Sequence, residues 1–386
     1  MSDFPVKVAR TKPFSPSKIS LIKDCPLRYL LETENYSSVS PSSNIYAVTG
    51  TSIHKIVDIN ISNPSISGVE LKKQFIEFID KLIKRNSRKS LISWTYENYG
   101  LNGLISNERI VSSVQQIKRL LDSYGEEKSP SNNNFKFMTR EISSDILGSE
   151  KSLEFKNLEL AGKIDFSYMD VDGIIHVVDF KSGNVLDDEV RPKDGYLLQI
   201  AVYGLMLEQF VTNSKLLLEL IGSNTSWSGP LDDELRGRVI NLIKDAKTIL
   251  PLNQELEAST LSKSGEYCSS CGPRFACAEY HQALNNRSFG EKSSICSSND
   301  LIGLVSKVTK RENLIDILLK SNNQTICSII GLPHSLYQEI KVGDLISAYF
   351  LGILDIEGKC KFPVNFFVFR EDTPRLSSFE FILKIA

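Results

Sequence analysis

The feature that most restricts the fold is a pair of apolar runs at 158–169 (LELAGKIDFSYM) and 174–183 (IIHVVDFKSG), joined by the short segment 170–173. Two β-rich runs around an Asp172-Gly173 turn form a hairpin. Period-two alternation puts Val177, Asp179 and Lys181 on one face of the second strand, and His176, Val178 and Phe180 on the other. Asp165, on the first strand, is close enough across the hairpin to share the face of Asp179. Two carboxylates converging on one spot repel unless a divalent cation neutralises them, and oxygen ligands suit Mg²⁺ or Mn²⁺. A lysine beside such a cation stabilises developing phosphate charge or orients a water. D-x-K alone is short and common, and its plainer reading is an exposed Asp–Lys pair on a sheet face.

The rest of the chain gives this hairpin its surroundings. Residues 1–14 read as a flexible lead-in. Ser17 then caps a helix whose apolar face is Ile19, Leu21, Ile22 and Cys25, ending at Pro26. A Ser-rich loop follows at 36–47, then a helix from Gly50 that carries His54. Helical periodicity runs through 69–124, interrupting the core as a helical insertion at about 60–125. The segment 125–134 (GEEKSPSNNN) is a loop, and strands are expected at 135–146 and 152–158. After the hairpin come a helix at about 195–209, a strand at 215–221 and a helix at about 230–249. This order predicts an α/β fold, a mixed central sheet flanked by helices. A polar linker at 284–299 leads into 300–386, where about five strands and a short helix predict a small β-barrel. Val342-Gly343-Asp344 resembles the turn into the fourth strand of an OB-fold, a module that commonly grips single strands; a docking or purely structural β-domain is the other reading of this region.

The helix at 195–209 places Gln199 and Tyr203 one turn apart on one face. Neither that pair nor a lone His54 is informative by itself. In chain order, however, GxxxH at 50–54, GxxD at 162–165, DxK at 179–181 and QxxxY at 199–203 resemble the RecB-like branch of the PD-(D/E)xK nuclease superfamily, over roughly 15–280. The resemblance implies a restriction-endonuclease-like core. It implies that His54, Asp165 and Asp179 hold the catalytic metal, that Lys181 is the catalytic lysine, and that Gln199 and Tyr203 organise the site or the nucleic-acid strand. Glu141 stands where the family often has a glutamate. His176 is on the wrong face of its strand and is left out.

Seven cysteines, at 25, 268, 271, 277, 296, 327 and 360, are an odd number and argue against a disulfide framework. Cys268, Cys271 and Cys277 form an incomplete ligand set, and Cys25 is the only thiol upstream. Four thiolates suit zinc, and Cys25 as a plain buried residue is also open. C-P-x-R-Y at 25–29 together with C-x2-C-x5-C at 268–277 resembles the iron–sulfur nucleases of the same superfamily, the AddB-type subunits and CRISPR-adaptation exonucleases. That resemblance implies a [4Fe–4S] cluster on Cys25, Cys268, Cys271 and Cys277, stapling the ends of a nuclease domain at 15–283. Cys296, Cys327 and Cys360 read as ordinary thiols.

Forty-five Lys and Arg against 47 Asp and Glu exclude a uniformly basic DNA-coating protein but leave room for a local basic groove. The run Lys81, Lys84, Arg85, Arg88 and Lys89 reads as a solvated helix face or a phosphate contact. No apolar run reaches the roughly 18–20 residues of a membrane span, and the N-terminus lacks a secretory pattern, so a cytoplasmic protein is expected. There is no P-loop, and any strand unwinding would need a separate ATP-dependent helicase. The resulting expectation is a metal-dependent DNA nuclease, an exonuclease on single-stranded or free ends. The alternative is a non-catalytic single-stranded-DNA-binding or scaffold subunit of a helicase–nuclease or repair complex. A small-molecule metalloenzyme lacks any cofactor fingerprint.

Overall fold

The computed structural model describes residues 4–34, 45–61, 65–85, 96–124, 148–170, 172–211, 215–287, 293–321, 326–337, 339–349, 359–360, 366–370 and 383–385. Glu141, the loop 125–134, the expected strand 135–146, Arg88 and Lys89 lie outside these residues.

A five-stranded sheet carries the hairpin. Its strands are β2 (Gly148–Phe155), β3 (Leu160–Met169), β4 (Ile175–Phe180), β5 (Leu216–Ile221) and β6 (Ser226–Pro230), side by side in that order. The expected hairpin is present, with β3 and β4 antiparallel from Phe166↔Val178 to Met169↔Ile175 and Gly173 at φ 76° in the turn. That left-handed conformation suits glycine, which has no Cβ to clash. β4 and β5 run parallel, which requires a crossover, and the helix Asp194–Glu208 supplies it. β2 and β6 close the edges antiparallel. The sheet is therefore mixed, as expected.

Alternation along β4 divides the core. Val177 packs with the helices Asp194–Glu208 and Asp233–Ile249, whereas Val178 and Phe180 pack with the helices Ile45–Asn60, Gly68–Arg85 and Asn107–Tyr124. All six β4 residues are buried, as a central strand with both faces covered requires. No helix among the described residues is long and apolar enough to cross a membrane. β6 has no counterpart among the elements expected from the sequence. Its SWSGP alternates exposed and half-buried positions and ends on Gly-Pro, which looks like a loop until β5 pairs with it.

Three expectations are corrected. Residues 4–14 are packed and do not form a lead-in: β1 (Lys7–Ala9) pairs with β7 (Glu255–Glu257), and Val8 and Phe14 are buried. Arg10 is buried too, donating to Leu250 O at 2.8 Å, pairing with Glu159 and lying 3.8 Å over the Phe14 ring. The single helix expected from Ser17 is two short ones, Leu21–Asp24 and Pro26–Thr33. Pro26 disfavours helical backbone at the preceding residue, and Cys25 is extended at φ −156°. Its sulfur then caps the second helix by accepting from Arg28 N. The described part of the expected linker is also docked: Tyr280 OH accepts from Ser297 N at 2.9 Å, and Arg287 donates to Ser297 O at 2.8 Å.

The C-terminal region is a curled half-barrel of seven strands in the order β12-β10-β9-β8-β11-β13-β14, antiparallel except for the β10–β12 pair. Its strands are β8 (Leu301–Arg311), β9 (Leu314–Lys320), β10 (Ile326–Pro333), β11 (Leu345–Tyr349), β12 (Lys359–Cys360), β13 (Phe366–Arg370) and β14 (Leu383–Ile385). Asp300, at its entrance, is fully buried beneath Arg274 (2.5 and 3.0 Å) and Tyr280 OH (2.6 Å).

Candidate active site

The β3–β4 ladder stops at Phe166↔Val178, and beyond it the two strands part. Asp165 fills the opening, its Oδ2 accepting from Phe180 N at 2.8 Å. On the other side β4 stays attached to β5, with Lys181 N donating to Ile221 O at 2.8 Å. The gap therefore exposes one carboxylate from each strand to a common space, as the alternation in the sequence predicts.

Asp179 lies on the Val177 side and is 2% exposed. Gln199, from the crossover helix, donates to Asp179 Oδ1 at 2.8 Å and accepts from Lys181 Nζ at 2.9 Å. Lys181 Nζ is 2.6 Å from Asp179 Oδ2, yet that oxygen has no partner in hydrogen-bonding geometry. Burial pushes the Asp179 carboxyl up to about 6; Lys181 opposes the rise and Asp165 adds to it. A second carboxylate nearby and a buried oxygen short of a donor are what a cation would relieve.

His54 reaches the same space from the opposite face, its Nδ1 3.3 Å from Asp165 Oδ1. Burial works against a charged imidazole, but Asp165 and Asp179 outweigh it and raise the His54 pKa. Tyr203 stands against the Lys163 backbone and the Gln199 side chain, and burial raises its phenol. The glycine of GxxD has a steric reason. A Cβ on Gly162 would lie 2.7 Å from Pro16 Cδ and 2.9 Å from Tyr203 Cε1, so only glycine lets the strand approach both.

The structure thus gathers His54, Asp165, Asp179, Lys181, Gln199 and Tyr203. Among the described residues no set of three or more His, Cys, Asp or Glu side chains closes to metal-holding spacing. The donor chemistry nonetheless fits a hard cation, with two carboxylates, a neighbouring imidazole and the under-bonded Asp179 Oδ2.

Two further residues at this site carry no motif of their own in the sequence. Gln116 donates to Lys181 O at 2.8 Å, and the Tyr196 ring lies 5.0 Å from Lys181 Nζ. Tyr196 is one turn before Gln199, and that spacing is a signal that could have found it; Gln116 comes from a distant helix and leaves no local signal. His176 is excluded from the site as expected. It stacks on Tyr168 at 4.3 Å, bonds Asp170 Oδ2 at 3.1 Å and pairs with Glu219 on the opposite face.

Cys25, Cys268, Cys271 and Cys277 line one cavity, together with Arg28 and Tyr267. Burial raises the thiols of Cys268, Cys271 and Cys277. The four thiols come from two chain segments and line this one space without closing to metal-holding spacing. Cys296 and Cys327 are buried thiols elsewhere.

A model of the PD-(D/E)XK nuclease superfamily matches residues 13–278. No curated protein sequence matches the chain. Two solved structures show low similarity. SSO0001 is 13% identical with a TM-score of 0.26, covering 49% of this chain and 79% of its own. A candidate exonuclease from Eubacterium rectale is 11% identical with a TM-score of 0.27, covering 58% and 84%. With so little in common, neither bears on the assignment.

Proposed function

Since this chain belongs to the PD-(D/E)XK nuclease superfamily, we propose that it is a metal-dependent DNA exonuclease acting on single-stranded ends. The observation that carries this reading is the Asp179–Lys181–Gln199 group, its polar atoms 2.6–2.9 Å apart where β3 and β4 part beside Asp165. Asp165, Asp179 and His54 are the side chains that would hold Mg²⁺ or Mn²⁺. Such an ion activates water and neutralises phosphate charge when bound. Lys181 presents its ammonium to the charge that develops on the scissile phosphate. Gln199 fixes both Asp179 and Lys181, and Tyr203 braces Gln199. Asp179, buried beside a lysine, is kept from turning away to solvent.

The domain reading accompanies this function. The nuclease domain ends near residue 283, takes in β1 as well as 15–34, and has Cys25, Cys268, Cys271 and Cys277 as the ligands of a [4Fe–4S] cluster, with zinc as the competing occupant. Residues 300–386 form an OB-like module that grips the strand; support comes from its first strand, β8, lying between β9 and β11 in the curled sheet. A separate helicase supplies single-stranded ends from duplex DNA.

Paired substitutions test the assignment. Asp179→Ala is expected to lose both turnover and most Mn²⁺ affinity, and Lys181→Ala to lose turnover while keeping Mn²⁺ affinity. Wild-type turnover in either variant contradicts the roles assigned to these two side chains.

A further inference from the structure

On the sheet face that packs the helix Asn107–Tyr124, the last two strands are left uncovered, and a cleft of about 500 Å³ opens over them. Gln116 and Arg119 of that helix form one wall; Asn224, Ser226 and Ser228 form the other, and Glu219 is on the floor. Apart from Glu219 these polar groups are amides, hydroxyls and one guanidinium. Such groups contact sugar and phosphate in nucleic-acid complexes.

Glu219, the one acidic side chain lining the cleft, is occupied elsewhere. It accepts from Tyr168 OH at 3.1 Å and pairs with His176, so its charge is compensated beneath the surface. Arg119 is exposed, and its contact with Asn224 Oδ1 is long, at 3.4 Å. An exposed guanidinium over hydroxyls, with the carboxylate of the cleft already paired, favours an anion.

The cleft borders the backbone of the segment 181–183, which leaves the candidate active site. Gln116, in its wall, holds the Lys181 carbonyl at 2.8 Å. Ser223 N, in the turn that carries Asn224, donates to Gly183 O at 3.0 Å, two residues past the lysine. A Cβ on Gly222 would lie 2.4 Å from Gly183 O, so glycine lets the β5–β6 turn lie directly on the segment after DxK.

We propose that the cleft binds the sugar–phosphate backbone of a single nucleic-acid strand flanking the scissile phosphate, with Arg119 on one of its phosphates. The proposal rests on the nuclease reading and names where that substrate continues.

The test uses the full chain with Arg119→Glu or Ser226→Glu, and a fluorescein-labelled oligothymidylate of about 12 nucleotides in EDTA, where nothing turns over. Each variant is expected to weaken binding at least about five-fold and to flatten the salt dependence by about 0.7 in log–log slope per phosphate lost. Affinity and slope within about two-fold of wild type in both variants overturn the cleft assignment. So does a wild type that fails to bind the oligomer. Failure of the nuclease reading looks different: wild type binds the oligomer, the variants do not, and no cleavage follows in Mg²⁺ or Mn²⁺.

Discussion

The Gln199 amide donates to Asp179 Oδ1 at 2.8 Å from a helix that packs against the strand carrying the acid. The same amide accepts from Lys181 Nζ at 2.9 Å, so one side chain sets the distance between the acid and the base of D-x-K. Groups of this kind orient the residues that do the chemistry, and removing them usually costs about 10–100-fold in activity or metal affinity. Gln199→Ala is therefore expected to lower kcat by about that factor with little change in KM for DNA. Gln199→Glu should be no better, because it sets a third carboxylate against Asp179. Steady-state cleavage rates check both; an unchanged kcat in Gln199→Ala means that the bridge does not hold the site.

The four cysteines around one cavity predict iron and acid-labile sulfide in anaerobically purified protein, with a brown colour. Cys25→Ala should bleach the sample and lower the melting temperature, since the proposed cluster joins the N-terminal helices to the segment 268–277 through Cys25. Elemental analysis decides the matter. Stoichiometric zinc in a colourless sample assigns the site to zinc instead.

Arg10 provides a stability prediction independent of function. Its guanidinium is buried, bonded to Leu250 O, paired with Glu159 and stacked over the Phe14 ring. Arg10→Ala leaves the Leu250 carbonyl without its donor and Glu159 with Lys247 as its remaining cationic partner, a loss of about 2 kcal/mol. Urea melts of the full chain measure it. A change under about 0.5 kcal/mol would return residues 4–14 to the status of a lead-in.

That segment marks the limit of what the sequence carries. The faces of β4 were legible because alternation is local, and Asp179 and Lys181 stand two residues apart. The parting of the strands at Asp165 follows from the same hairpin. β1 was not legible, because its partner β7 is at the far end of the domain and three residues of strand leave no pattern. The cleft beside the site was hidden for the same reason: Gln116 and Asn224 meet only once the sheet and the helical block have packed. Cys25 stands out as a ligand candidate from its motif, but its capping of the helix Pro26–Thr33 depends on the extended backbone that Pro26 imposes.

His176 predicts a pH effect on stability. Burial disfavours its charge, but Glu219 and Asp170 outweigh this and raise its pKa above the ordinary value. With a raised folded pKa, the stabilisation is complete below about pH 6.5, where the unfolded histidine is also protonated, and is lost as pH rises through the folded pKa. The stability gap between wild type and His176→Gln should therefore narrow from pH 6 to pH 9, with each tenfold gain in proton affinity on folding worth about 1.4 kcal/mol. Urea melts across that range measure it. A gap that is constant or widens contradicts a charged His176.

Metal-dependent cleavage from DNA ends is tested by comparing linear and circular single-stranded DNA incubated with the purified full chain in Mg²⁺, Mn²⁺ and EDTA. The expected result is progressive loss of the linear strand with either metal, none in EDTA, and a circle that survives. No cleavage of either substrate in Mg²⁺ or Mn²⁺ would contradict the nuclease assignment, and a circle cut as fast as the linear strand would contradict its exonucleolytic form.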